Sequence, residues 1–158
     1  MFIYGTVHRG HITIHCSDLL NKNGFPFKYG VDLSTIGEAK LGEIMYKKNH
    51  CDAFAIIHYP SNIKKFYTKQ LTSSLTETFD IIVGGWELVS GALREVNIKK
   101  IEHSMKLSSI NPADYNFYLS IVDNAIEHGG FGLGIDRLIA RLLDIDVVSD
   151  AVPFPRTF

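Results

Sequence analysis

Between Gly129 and Gly134 the sequence reads GGFGLG, in which large apolar side chains alternate with glycines. Alternation of period two is the mark of a strand, whose successive side chains point to opposite faces. One face here carries Phe131 and Leu133, and the other carries no side chain at all. Directly behind the run, Ile135, Leu138, Ile139, Leu142 and Leu143 recur at the spacing of one buried helix face. The chain is therefore predicted to send a glycine-rich strand straight into an amphipathic helix. A flat ring could lie on the bare backbone of such a strand. Arg137, one turn into the helix, carries a planar guanidinium that can stack on an aromatic base and still meet a phosphate. Alternate glycines can equally let a helix pack closely on a strand, and the residues by themselves leave both uses open. The spacing is not the dinucleotide fingerprint G-x-G-x-x-G, because the third glycine comes too early and no βαβ unit surrounds it.

The rest of the chain supplies a sheet and its flanking helices. Ser17 caps a short helix over residues 17–23 that Gly24 stops. Thr35 and Glu38 form a capping-box pattern ahead of a helix running to about Lys48, with Lys47 and Lys48 placed where the helix dipole favours cations. Ala53 to His58 (AFAIIH) suits a buried strand, as does Phe79 to Val83. Gly84-Gly85 interrupts that second run, which resumes from Trp86 to Val89, and such a glycine pair marks a bulge or a close approach of backbone. Arg94 to about Leu107 reads as a helix, and Asn111-Pro112 opens another. No repeat, low-complexity segment or linker divides the chain, so residues 1–158 read as one domain. Strands separated by long mixed connections predict an antiparallel sheet with helices packed on it, an α+β arrangement.

Charge and composition narrow the partners. Sixteen basic residues against seventeen acidic ones leave a net charge of −1. A domain built to grip nucleic acid carries a basic surplus, since phosphate contacts dominate that affinity. Any contact with nucleic acid is therefore expected to be local or to rely on another subunit. No uncharged run approaches the ~20 residues that span a bilayer, and MFIYGTVHRGHITIH lacks a continuous apolar segment, so no membrane partner and a cytoplasmic location are expected. Cys16 and Cys51 do not make a disulfide scaffold. His8, His11, His15 and Cys16 lie close together but fit no standard zinc spacing, and the same stretch reads as a strand.

Several segments together resemble one family. HGGFGLGIDRL (His128 to Leu138) looks like the third signature motif of class II aminoacyl-tRNA synthetases. FDIIVGGWELVSGALRE (Phe79 to Glu95) resembles the segment lining the aminoacyl-adenylate pocket of the aspartyl and asparaginyl enzymes. HYPSNIKKFYTK (His58 to Lys69), NPADYNFYL (Asn111 to Leu119) and the ending DAVPFPRT (Asp150 to Thr157) are similar to asparaginyl-type segments, in the same order. The resemblance covers about residues 25 to 158 and implies the C-terminal half of a class II catalytic fold, an incomplete antiparallel sheet with flanking helices.

The resemblance implies roles at matching positions. Arg137 would be the catalytic arginine, stacking on the adenine of ATP and approaching its γ-phosphate. Gly132 and Gly134 would floor the nucleotide. Glu87 and Ser90 would hold a magnesium ion on the phosphates, Glu87 thereby also belonging to the ATP site. Arg94 and Lys64 would read the side chain of aspartate or asparagine, with Gly130 close to the bound amino acid. Features of both types are mixed ahead of Glu87, so the choice between the two amino acids stays open. Two earlier motifs of the family and its anticodon-reading domain are not found, so the chain is expected not to make aminoacyl-tRNA alone and to meet tRNA only when the missing domains complement it, with a homo-oligomer or a complementary chain as the partner. A non-ligating nucleotide- and amino-acid-binding module and an asparagine-forming paralogue are the alternatives.

Overall fold

The computed structural model describes residues 6–9, 12–28, 30–50 and 52–155. Among the described residues, six strands form one antiparallel sheet: β1 (Thr6–Arg9), β2 (Ile12–His15), β3 (Ala53–Ile57), β4 (Thr78–Val83), β5 (Trp86–Leu93) and β6 (Gly129–Leu133), in the order β2-β1-β3-β4-β5-β6. Five α-helices among the described residues accompany it: α1 (Cys16–Lys22), α2 (Ser34–Asn49), α3 (Ile98–Leu107), α4 (Asn116–Val122) and α5 (Ile135–Leu142). The predicted antiparallel α+β sheet with flanking helices is what the chain adopts. The glycine-rich strand does run directly into a helix, with Gly134 between β6 and α5.

The main core joins α1 and α2 to the sheet through Leu20, Leu41, Met45, Ile56, Tyr59 and Ile82. A second cluster joins α3 and α4 through Ile101, Met105, Leu119 and Val122, with Phe66 packed against it. The buried Cys16 thiol, pushed up to about 12 by burial, acts as a small apolar side chain. His11 and Cys51 lie outside the described residues, as do Arg156 and Thr157 of the C-terminal motif.

Four local expectations are corrected. Ser17 does not cap α1: the helix begins at Cys16 with His15 at its cap position, and the Ser17 hydroxyl is buried. α2 starts at Ser34 with no side-chain cap, so Thr35 and Glu38 form no capping box. Gly84-Gly85 is not a bulge but the turn of the β4–β5 hairpin, with both glycines at positive φ (55° and 81°), and the alternative of a close backbone approach holds at Gly85, which lies against Ala39 of α2. Two positive φ values suit the turn type that follows strand twist. Arg94 does not begin a helix: extended backbone continues past it, bridged to Thr68, until Asn97 caps α3 by accepting a hydrogen bond from Lys100 N at 3.2 Å. Glu95 supports that start, its Oε1 accepting from Val96 N and Asn97 N.

A bulge does exist, between Ile81 and Ile82 in the β4–β5 register. Ile81 faces Val89 and Ile82 faces Glu87, so Leu88 is the extra residue of β5. In a regular strand Glu87 and Ser90, three apart, would point to opposite faces. The bulge turns Glu87 onto the face that carries Asp80 and Ser90.

Candidate functional site

One face of the central strands carries Asp80 on β4, Glu87 and Ser90 on β5, and Gly130 and Gly132 on β6. Asp80 is only 3% exposed. Burying a carboxylate is costly unless it is paired and hydrogen-bonded. Asp80 has both partners: Ser90 Oγ donates to its Oδ1 at 2.6 Å, and Lys64 Nζ lies 3.3 Å from its Oδ2. The Lys64 ammonium also sits 3.6 Å from the Tyr59 ring centroid, and the Arg94 guanidinium lies 4.6 Å over Tyr67. Both cations are thus held by aromatic faces that leave donors available.

These groups line a cavity of about 480 Å³ walled by Asp32, Glu38, Lys64, Tyr67, Asp80, Glu87, Ser90 and Arg94 among others. A larger cavity of about 630 Å³ lies on the other face of the sheet among Ile57, Phe79, Leu93 and Phe131. Its apolar lining offers little chemistry, so the smaller polar cavity is the candidate site.

Of the residues picked from the sequence, Lys64, Glu87, Ser90 and Arg94 come together in that cavity. Arg137 does not line it. It borders a neighbouring space of about 260 Å³ with Thr35, Glu38, Trp86 and Glu87, so Glu38 and Glu87 form the shared wall. Arg137 Nη1 donates to the Glu87 carbonyl at 2.6 Å and lies 4.0 Å from the Glu87 carboxylate. A side chain added at Gly132 would meet nothing within 4 Å, and one at Gly130 would reach only Arg94, at 4.0 Å. The strand therefore presents bare backbone with open space above it. Gly134 instead sits against Arg137 and the Leu88 carbonyl.

Electrostatics show where a cation would be welcome. Glu87 is raised above the usual carboxylate range, first by burial and then by the charge of Asp80, with Arg137 and Lys64 opposing. Glu38 is raised to about 7 by burial, Glu87 and Asp80, again opposed by Arg137. Two carboxylates and a hydroxyl that share one wall fit a hard divalent ion, which needs only one or two protein carboxylates besides water and phosphate. No group of three or more His, Cys, Asp or Glu side chains among the described residues makes a fuller cage. Sequence reasoning missed Asp80, Tyr67 and Glu38. Asp80 and Tyr67 lie inside the quoted segments, while Glu38 was absorbed by its capping pattern.

Over residues 9–158 the sequence matches the family described as tRNA synthetases class II (D, K and N). The chain belongs to the class II tRNA synthetases. The aspartate–tRNA(Asp) ligase of Pyrococcus horikoshii is 34% identical over 142 residues, which cover 88% of this chain and 32% of that protein. The aspartyl-tRNA synthetase of Entamoeba histolytica superposes with a TM-score of 0.84 at 26% identity, over 89% of this chain and 30% of that one. The asparaginyl-tRNA synthetase of Pyrococcus horikoshii, solved with asparaginyl-adenylate, gives 0.80 at 30% identity, over 90% of this chain and 33% of that one. This class II chain thus spans about a third of the length of the relatives it matches. No helix among its described residues is long and apolar enough to cross a membrane.

Proposed function

We propose that the polar cavity binds aspartate or asparagine and that the adjoining space over β6 binds ATP, as the C-terminal part of an aminoacyl-adenylate-forming site in a single catalytic domain working in the cytoplasm. The observation that carries this reading is the convergence of Lys64, Asp80, Glu87, Ser90 and Arg94 on one cavity beside the side-chain-free face of β6. Arg94 makes no ion pair among the described residues and presents a fork to a side-chain carboxylate or amide oxygen. Lys64, fixed by Asp80 and Tyr59, adds a second donor on the same side. Gly130 lets the amino acid approach the backbone, Gly132 leaves room for a flat base, and Gly134 closes that floor beneath the Arg137 side chain. Arg137 stacks over that base and reaches toward phosphate.

Glu87 and Ser90, with Asp80 behind them, would hold Mg²⁺, which when bound neutralises phosphate charge. The amino acid's carboxylate attacks the α-phosphorus and pyrophosphate leaves, a reaction that needs positioning and charge neutralisation more than a strong base. Coupling to tRNA is proposed to need further chain beyond these 158 residues.

Calorimetry tests the reading. Arg137→Ala should weaken ATP·Mg²⁺ binding at least tenfold with little effect on the amino acid, and Arg94→Ala should do the reverse. Equal loss of both ligands in either variant would overturn the two-part site. ATP–pyrophosphate exchange is expected only after a complementary synthetase chain is added. Release of free asparagine from aspartate, ammonia and ATP would move the chain to the asparagine-forming alternative.

A further inference from the structure

Two arginines stand one turn apart on α5, and both reach the start of β5. Arg137 Nη1 donates to the Glu87 carbonyl at 2.6 Å. Arg141 lies over the neighbouring Trp86, its guanidinium carbon 5.6 Å from the ring centroid, with Nη2 4.0 Å from Asp52 Oδ2. Trp86 also borders the space that Arg137 faces. Like charges at this i,i+4 spacing repel, so the helix alone disfavours the pair. A cation in the last turn of a helix is favoured by the dipole, but that role asks only for an exposed side chain. Arg141 is instead only 25% exposed, and its Nε is buried with no hydrogen-bond partner among the described residues. A buried donor left unpaired is costly, so the contacts of this guanidinium must offset that cost.

Those contacts centre on the β4–β5 turn. Gly84 N donates to the Asp52 carbonyl at 2.8 Å, and a side chain at Gly84 would collide with the Arg141 guanidinium. With φ of 55° and 81°, Gly84-Gly85 fits a turn in which asparagine, tolerant of positive φ, is favoured at the first position. Backbone conformation by itself therefore does not require glycine at 84. The three nearest atoms in the way of a side chain there all belong to Arg141. The apolar face predicted for α5 stays exposed at Ile135 and Leu142, and among the described residues Ala140 is the one buried side chain of the helix. The side chains that tie α5 to β5 by hydrogen bond or ring contact are the two arginines.

We propose that Arg141 is a positioning residue for Arg137. Its flat guanidinium, set against the Gly84 backbone and Trp86, fixes the seat of α5 on β5. That seat keeps Arg137 on the Glu87 carbonyl and turned toward the nucleotide space. Gly84 is a glycine to give the guanidinium its place. The consequence for ATP rests on the function proposed for that space, whereas the fastening of α5 needs no ligand.

Two measurements on the full chain test the fastening and its consequence separately. In the ligand-free chain, amide exchange of α5 should speed up in Arg141→Ala and in Gly84→Asn, while the β3–β4 ladder keeps its protection and shows that the fold is intact. Arg141→Lys should behave like Arg141→Ala, because lysine keeps the charge and lacks the flat face. In calorimetry each of the three variants should bind ATP·Mg²⁺ about fivefold more weakly, as a small misplacement of Arg137 would cause, with aspartate affinity kept. The double variant Gly84→Asn/Arg141→Ala should bind no more weakly than Arg141→Ala alone, since both changes remove one contact. Parent-like exchange in α5, an Arg141→Lys variant that matches the parent, or an additive loss in the double variant would each overturn the proposal. So would faster exchange with unchanged ATP affinity in a chain whose Arg137→Ala variant has lost it, which would reduce Arg141 to a structural role. Faster α5 exchange in a chain whose parent form binds no ATP would uphold the fastening and overturn the reading of the space as an ATP site.

Discussion

Glu38 projects from the first turns of α2 into the wall shared by the two cavities, and its carboxyl is raised from 4.5 to about 7. A raised acid is favoured neutral in the folded state. Its penalty is absent below the unfolded value near 4.5, grows as pH rises through the folded value, and is fully present above about 7. Glu38→Gln should therefore stabilise the ligand-free chain at pH 8 by ~1 kcal/mol, after discounting for its partial exposure, and leave stability at pH 4 unchanged. Urea titrations at the two pH values check this, and an equal gain at both would show that the charge is not the cause. The residue also marks the limit of sequence reasoning. Thr35-x-x-Glu38 fits a capping box, and nothing local in the sequence shows that Glu38 instead faces Glu87 and Asp80. Lys64, Glu87, Ser90 and Arg94 were legible because segments of characteristic order surround them. Asp80 was harder to read, since an acid in an apolar run shows its role only once Ser90 and Lys64 are brought to it.

The β4–β5 hairpin and α2 show what sequence patterns convey about elements and what they miss. The apolar runs on either side of Gly84-Gly85 placed both strands, but a glycine pair suits a bulge or a turn equally, and only strand pairing decides. The true bulge at Leu88 has no glycine to mark it, yet it brings Glu87 to the site face. The hairpin is also where α2 comes closest. A methyl group at Gly42 would fall 2.6 Å from the Gly85 Cα, and one at Gly85 would lie 3.0 Å from the Ala39 Cα. Contacts with backbone cannot be relieved by rotating a side chain. Gly42→Ala gains ~1 kcal/mol in helix propensity but should still lose ~2 kcal/mol overall, because α2 must back away from the turn. Thermal melts check the sign, and a stabilised variant would mean that the helix shifts without cost. Since α2 carries Glu38, the same substitution should move the shared wall of the site.

At the scale of the molecule, the two apolar clusters meet at the segment of residues 59–68. Tyr59 belongs to the main core, while Phe66 packs on the α3–α4 cluster and against the rings of Tyr67, Tyr115 and Tyr118. Lys64 and Tyr67 lie on this segment, so the proposed amino-acid half of the site is held at both ends by different cores. The proposed ATP half rests on β5, β6 and α5. Met105 is fully buried in the second cluster. Met105→Ala should cost ~2–5 kcal/mol by leaving a cavity there. If the clusters are coupled only through this segment, amide exchange should speed up in α3, α4 and residues 65–68 more than in β3 and β4. Aspartate affinity should fall several-fold while ATP affinity changes little. Equal acceleration across the sheet, or equal loss of both ligands, would show that the chain opens as one unit and that the second core does not specifically position Lys64 and Tyr67.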